Sequence, residues 1–266
     1  MEDRAPGGWV AGGPALYSAR MAHALGASVT LATTLSAAYD REPLAGLTVV
    51  SVTARANPRY ANTYDAAGHR TQVLSETGEP IEAAFPGMPA EADVLIVAPA
   101  YHEMKAMPAC RAVISGIALQ GLLRTTDSGG RVSPHPDAWG QVRRFLAPGR
   151  FAFLSEEDTA EPEKLAAAIA ASGATVFVTR AERGATLFRS HIRRQFPAIR
   201  AAACEPTGAG DCFATAFLIR FAECEDIETA ARFAIAAGSV AVERGGGPGG
   251  LPTREMVEAR LAGVAV

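Results

Sequence analysis

Lysine is nearly missing from this chain of 266 residues: of its 25 basic residues only Lys105 and Lys164 are lysines, and neither follows a glycine. A Walker-type phosphate loop, which needs a lysine directly behind its last glycine, is thereby excluded. Any nucleotide chemistry must use another device. Cysteine is scarce as well. Cys110, Cys204, Cys212 and Cys224 form no C-x-x-C pair, and a chain this long needs no disulfide staples, so reduced thiols in a cytoplasmic protein are expected. No apolar run approaches the roughly 20 residues of a membrane span, and no charged-then-apolar leader opens the chain. A net charge of −3 and a pI near 6.0 give no electrostatic case for nucleic acid or an anionic membrane as partner. A G-x-S-x-G nucleophile elbow, an H-E-x-x-H zinc helix and an EF-hand loop are all absent.

What is present suits a single large core: 48% of the residues are hydrophobic. Residues 14–25 carry apolar side chains at helical spacing and stop at Gly26, as a C-cap would. Short apolar runs at 29–35, 47–52, 93–99, 112–119, 150–155 and 174–180 read as strands, several of them covered on both faces. The clearest helix between them spans 162–173, with proline near its start and glycine at its end. Alternation of this kind predicts a parallel sheet between helical layers. Two long helices in succession close the chain. Residues 59–75 instead alternate small or apolar with polar residues around a glycine-containing turn, the pattern of a β-hairpin standing apart from the sheet.

The stretch Glu205-Pro-Thr-Gly-Ala-Gly-Asp211 stands at the mouth of the first of these closing helices. Glycines free the backbone N–H groups to converge on one oxygen at the positive end of a helix, and phosphoryl transfer needs such a cradle. It also needs a base, and a carboxylate in the same turn can take a hydroxyl proton. Taken alone, the stretch reads equally well as an ordinary helix start with a capping acid.

Residues 205–213 resemble the D-T-x-G-A-G-D-x-F signature of the ribokinase-like, PfkB-type carbohydrate kinases. Other blocks follow in the family's order: Gly12-Gly13-Pro14-Ala15-Leu16-Tyr17 opening a helix, "FLSEEDTAEP", "VFVTRAERGATLF" and "RFAIAAGSVAVERGGGPGGLPTREMVEARL". The likeness is closest to myo-inositol kinase-like members, through Tyr17, the hairpin segment "NTYDAAGHRTQVL" and Gln120-Gly-Leu-Leu-Arg124.

The resemblance implies a single ribokinase-like domain over 1–266, a three-layer α/β/α fold with a mainly parallel central sheet and a small β-hairpin lid at about 53–76. It implies Asp211 as catalytic base with Gly208, Ala209 and Gly210 as anion hole. ATP would lie against Thr179, Arg180, Gly184, Thr207, Gly208, Gly210, Ala237 and Gly245. A sugar or polyol, myo-inositol favoured, would meet Asp3, Gly12, Gly13, Tyr17, Tyr64, Gln120, Arg124 and Asp211. Asp158 and Glu205 would assist magnesium, a monovalent cation such as K+ would sit near the glycine-rich loop, and the lid could pair two subunits. Glu205 and Pro206 stand where the family has aspartate and threonine, Ser155 where it has asparagine, Asp158 where it has glutamate, and Ala181 where it has glycine. Only eleven residues precede Gly12, so the family's first core strand is expected upstream of Met1, with Asp3 in place of its substrate-binding aspartate. A nucleoside kinase on the same fold and a non-catalytic nucleotide- or polyol-binding protein are the alternative expectations.

The arginines at 180, 183, 189, 193 and 194 read as a solvated strand face, and His102-Glu103 as a loop pair without metal-ligand companions. "GGGPGG" at 245–250 fits G-x-G-x-x-G only formally, because it follows a helix rather than a strand.

Overall fold

A computed structural model of the chain describes residues 1–64, 70–202, 204, 206–244 and 250–263. The apolar runs become the strands of a six-stranded sheet. Its parallel part comprises β7 (Glu91–Val97), β8 (Arg111–Ala118), β11 (Phe151–Ser155) and β12 (Thr175–Thr179); β13 (Ala185–Arg189) and β14 (Ile192–Phe196) extend it antiparallel beyond β12.

Side chains alternate between the two faces of the sheet, as the period of a strand requires. Phe151, Phe153 and Phe177 face α4 (Ala209–Cys224) and α5 (Ile227–Glu243), while Ala152, Leu154, Val176 and Val178 share the other core with α3 (Pro162–Ala171). Both faces are thus covered, which is why β11 and β12 read as unbroken apolar runs rather than alternating ones. The first core is closed by rings: Phe217 of α4 lies 4.6 Å from Phe177, which stacks on Phe153 at 5.9 Å. The layer of α4 and α5 continues with α1 (Pro14–Ala24) and α6 (Arg254–Leu261), and the short α2 (Ala138–Val142) lies on the side of α3.

The N-terminal half differs from the reading of the sequence in two ways. Residues expected to form no element make a hairpin of β1 (Glu2–Ala5) and β2 (Gly8–Ala11), and β1 pairs in parallel with β5 (Arg59–Tyr64). With β6 (Arg70–Glu76) the lid becomes a four-stranded sheet in the order β2-β1-β5-β6. Glu2 anchors it, accepting from Asn57 Nδ2 at 3.0 Å and Arg59 Nε at 3.2 Å. The expected strands at 29–35 and 47–52 form as β3 (Thr30–Ser36) and β4 (Thr48–Ala54), but they make a sheet of their own. Among the described residues the outer edge of β7 and the free edge of β3 have no strand partner. Between β3 and the end of β7 lies a cleft lined by Leu31, Leu35, Tyr39, Ile81 and Ala98, with Gly12 and Gly13 beside them. A last short ribbon, β9 (Arg124–Thr126) with β10 (Val132–Pro134), touches the lid where Leu74 N–H donates to Gly130 O.

Candidate active site

The carboxyl ends of β7, β8, β11 and β12 all open on one side of the sheet, where parallel α/β folds bind ligands. Gly208 caps α4 there with φ +83°, a left-handed conformation that glycine adopts without strain. A Cβ on Gly208 would lie 3.0 Å from the ring of Tyr17, and one on Gly12 would lie 2.0 Å from the Asp3 carboxylate and 3.3 Å from the Tyr17 hydroxyl. Three sequence-distant residues, Asp3, Tyr17 and Gly208, are therefore packed together, and glycine is required at both contact points. Gly13, at φ +93°, is covered in the same way by the Met1 side chain.

The anion turn is narrower than expected. The Ala209 N–H donates to Pro206 O at 3.1 Å, closing a turn, so this amide is not free for a phosphoryl group. The Gly208 and Gly210 amides donate to no carbonyl among the described residues, and the space beside Gly210 is open. One turn into the helix, Asp211 is partly buried, and loss of solvation pushes its carboxyl up to about 7. The negative charges of Asp158 and Asp3 push the same way, and the Arg124 guanidinium opposes them. A carboxyl poised near neutrality beside an open helix N-terminus is matched to general-base work.

Arg124 and Gln120 arrive from the turn that follows β8. Arg124 is 9% exposed, and its guanidinium carbon sits 5.0 Å from the ring centroid of Tyr60. Gln120 donates to Asp158 Oδ1 at 3.2 Å. The other Asp158 oxygen accepts from Ser155 N at 2.7 Å, and the Ser155 hydroxyl accepts from Glu157 N, so Ser155 and Asp158 form a capping box at the end of β11. The expected magnesium residue is thereby fixed in place. Among the described residues no group of three His, Cys, Asp or Glu could cage a metal. Magnesium keeps most of its shell as water and phosphate oxygen and needs only one or two carboxylates. Asp158 and Asp3 act electrostatically on Asp211, and a carboxylate group of this kind fits such a cation. Glu205 and Gly245 lie outside the described residues, as does the hairpin turn 65–69, and Tyr64 is described only as the end of β5.

Two donor-side expectations need correction. Arg180 is not an uncommitted phosphate cation: its Nε donates to Thr186 Oγ1 at 3.0 Å and its guanidinium pairs with Glu156 at 3.1 Å and Glu163 at 2.5 Å. Arg183 and Arg193 extend the same network, which makes the arginine cluster an ion-paired sheet face. Ala237 is 0% exposed, because α5 packs flat on α4 there, so it forms core wall rather than ligand surface. Thr179 ends β12, and Gly184, at φ +88°, lies so close to β14 that a Cβ would fall 2.0 Å from Phe196 O. Thr207 opens the turn before Gly208.

Three site neighbours escaped the reading of the sequence. Tyr60 is fully buried and donates its hydroxyl to Ala100 O at 2.9 Å. Glu103 accepts from both Ala100 N and Tyr101 N at 2.6 Å, and His102 Nε2 lies 2.6 Å from Arg124 O. Only the adjacency of His102 and Glu103 was visible, and nothing in the hairpin pattern separates Tyr60 from the other residues of its strand.

Comparison with known proteins bears on this constellation. Residues 150–254 match the family described as pfkB family carbohydrate kinase. A ribokinase of Bacillus subtilis is 38% identical over 95 residues, which cover 36% of this chain and 32% of that enzyme. The chain thus matches about a third of the length of its curated relatives. A solved ribokinase of Thermotoga maritima superposes with a TM-score of 0.70 at 20% identity, covering 94% of this chain and 87% of that one. A pyrophosphate-dependent kinase in the ribokinase family, solved with a pyrophosphate analogue and myo-inositol, gives 0.71 at 18% identity, covering 97% and 96%. These likenesses establish the ribokinase-like fold.

Proposed function

We propose, for a chain whose residues 150–254 match the pfkB family carbohydrate kinases and whose fold is ribokinase-like, that it transfers the terminal phosphoryl group of ATP to a hydroxyl of a small sugar or polyol, with myo-inositol favoured. The observation that carries this reading is the placement of Asp211. Its carboxyl, held near neutrality, stands one turn into a helix whose Gly208 and Gly210 amides are open, with Arg124 and Asp3 acting on it from the acceptor side.

In this reading Asp211 accepts the hydroxyl proton as the acceptor oxygen forms its bond to phosphorus and the bond to the leaving phosphate breaks. The N–H groups of Gly208 and Gly210, at the positive end of α4, stabilise the charge on the transferred group. Tyr17, Gln120 and Arg124 offer hydrogen bonds to an acceptor that has only hydroxyls to recognise. Magnesium would be held through Asp158, with Glu205 assisting, and would neutralise phosphate charge; a monovalent cation such as K+ belongs to the same proposal. The lid sheet excludes water from the transfer.

The test is a panel of sugars, polyols and nucleosides with ATP, read by ADP release, and with pyrophosphate, read by phosphate release, for wild type and Asp211→Asn. Loss of the base is expected to cost about 10²–10⁴-fold in kcat. Turnover in Asp211→Asn equal to wild type would refute the role of Asp211. Nucleosides outpacing every polyol would move the substrate class, and ligand-induced stabilisation without a phosphorylated product would favour a binding protein.

A further inference from the structure

Arg124 carries its charge in a place where an arginine is costly. Its residue is 9% exposed, and the charge lies over the face of a tyrosine that has no exposure at all. Tyr60 occupies β5, the lid strand that pairs with β1, and its register partner on β1 is Asp3. Its hydroxyl is tied to the Ala100 carbonyl, in the loop whose Ala100 and Tyr101 amides are held by Glu103. The ring therefore cannot swing away: it is fixed by strand pairing at its backbone and by a hydrogen bond at its tip. The main chain of Arg124 is fixed independently, by His102 Nε2 at its carbonyl and by pairing of Arg124 with Pro134. What remains to be set is the direction of the long side chain, and the Tyr60 face is the surface on which it lies.

We propose that Tyr60 is a positioning residue, its ring a platform that holds the Arg124 guanidinium toward Asp211 and the acceptor hydroxyls. A planar cation on a desolvated aromatic face gains attraction from the ring quadrupole without losing the donors at its edge. One side of the Arg124 guanidinium is drawn to the Tyr60 hydroxyl, its remaining N–H groups are kept for the acceptor while its orientation is prepaid, and a guanidinium free to sample several rotamers would bind the same hydroxyls more weakly. The lid is tied to the acceptor site through this ring, because the platform is part of a lid strand. The proposal rests on the kinase reading above for its kinetic consequence but not for its geometry.

The kinetic experiment compares Tyr60→Met, which fills similar volume without a π face, with Tyr60→Phe, which keeps the ring, and with Arg124→Met alone and combined with Tyr60→Met. Tyr60→Met is expected to raise the acceptor KM about tenfold with the donor KM unchanged, Tyr60→Phe to recover most of that loss, and the double variant to match Arg124→Met. Fully additive losses, or a Tyr60→Phe as impaired as Tyr60→Met, overturn the proposal. The geometric experiment needs no turnover. In proton–nitrogen correlation spectra of wild type, the Arg124 Nε proton, assigned by its loss in Arg124→Lys, is expected upfield of the other arginines and to stay there in Tyr60→Phe. An unshifted proton overturns the platform even if every kinase assay succeeds. An upfield proton with no turnover on any acceptor sustains the platform and refutes the kinase reading instead.

Discussion

Replacing Asp211 by asparagine separates a catalytic acid from a structural one, because the two roles change stability in opposite directions. The Asp211 carboxyl is raised from 3.8 to about 7, chiefly by desolvation and then by Asp158 and Asp3, against the pull of Arg124. Between those two values the folded protein binds a proton that the unfolded chain has released, so stability falls as pH rises through this window. Below 3.8 both states are protonated and above 7 both are ionised, and the slope vanishes at either end. Each pH unit inside the window costs about 1.4 kcal/mol. From pH 5.5 to pH 8.5 wild type should therefore lose about 2 kcal/mol through this one group. Asparagine has the same shape and no charge, so Asp211→Asn should lack that component and be the more stable protein at pH 8.5 while losing turnover. Urea unfolding of both proteins at the two pH values measures the difference directly. An acid serving only as a dipole partner of α4 would give the reverse, with asparagine costing about 0.3–1 kcal/mol at pH 8.5. Equal pH dependence in the two proteins would refute the desolvated-base argument whatever the kinetics.

Three further predictions concern the glycines and the sheet edges. Gly208→Ala places a Cβ 3.0 Å from the Tyr17 ring at φ +83° and should cost about 1–3 kcal/mol with loss of turnover. Gly210→Ala meets nothing within 4 Å and should be neutral or stabilising by up to about 1 kcal/mol, so any fall in its kcat reports crowding of the anion space alone, measured by pairing chemical denaturation with the kinase assay. Because one edge of β7 has no strand partner among the described residues, its outward amides should exchange with deuterium at least about 100-fold faster than those of β11, which is paired on both sides; equal protection would show that the edge is covered in solution.

The helices and the central strands were legible because their signals are local. The apolar spacing of α1 and α3 and the unbroken runs of β11 and β12 follow from which faces are covered, and the structure places all four within two residues of the expected bounds. The hairpin of β1 and β2 was illegible for the converse reason. Glu2-Asp-Arg-Ala and Gly8-Trp-Val-Ala have no alternation long enough to register, and they become strands because they pair with each other and β5 lies alongside the first of them. The period of a strand states that it is a strand and not which strand it meets, so the separation of β3 and β4 from the six-stranded sheet was equally hidden.

Within the site, the Gly208–Asp211 stretch was readable from sequence, since positive φ, exposed amides and an acid one turn into a helix are properties of consecutive residues. Chain chemistry alone thus placed the glycine turn, its acid and the layer pattern. The tertiary structure decided how much of that turn is free, by spending the Ala209 amide on Pro206, and it tied Arg180 to Glu156 and Glu163. It also decided that a tyrosine in a lid strand should lie beneath Arg124. Hydrogen bonds and ion pairs between residues far apart in the chain depend on distance, and distance is set only when the strands have found their order.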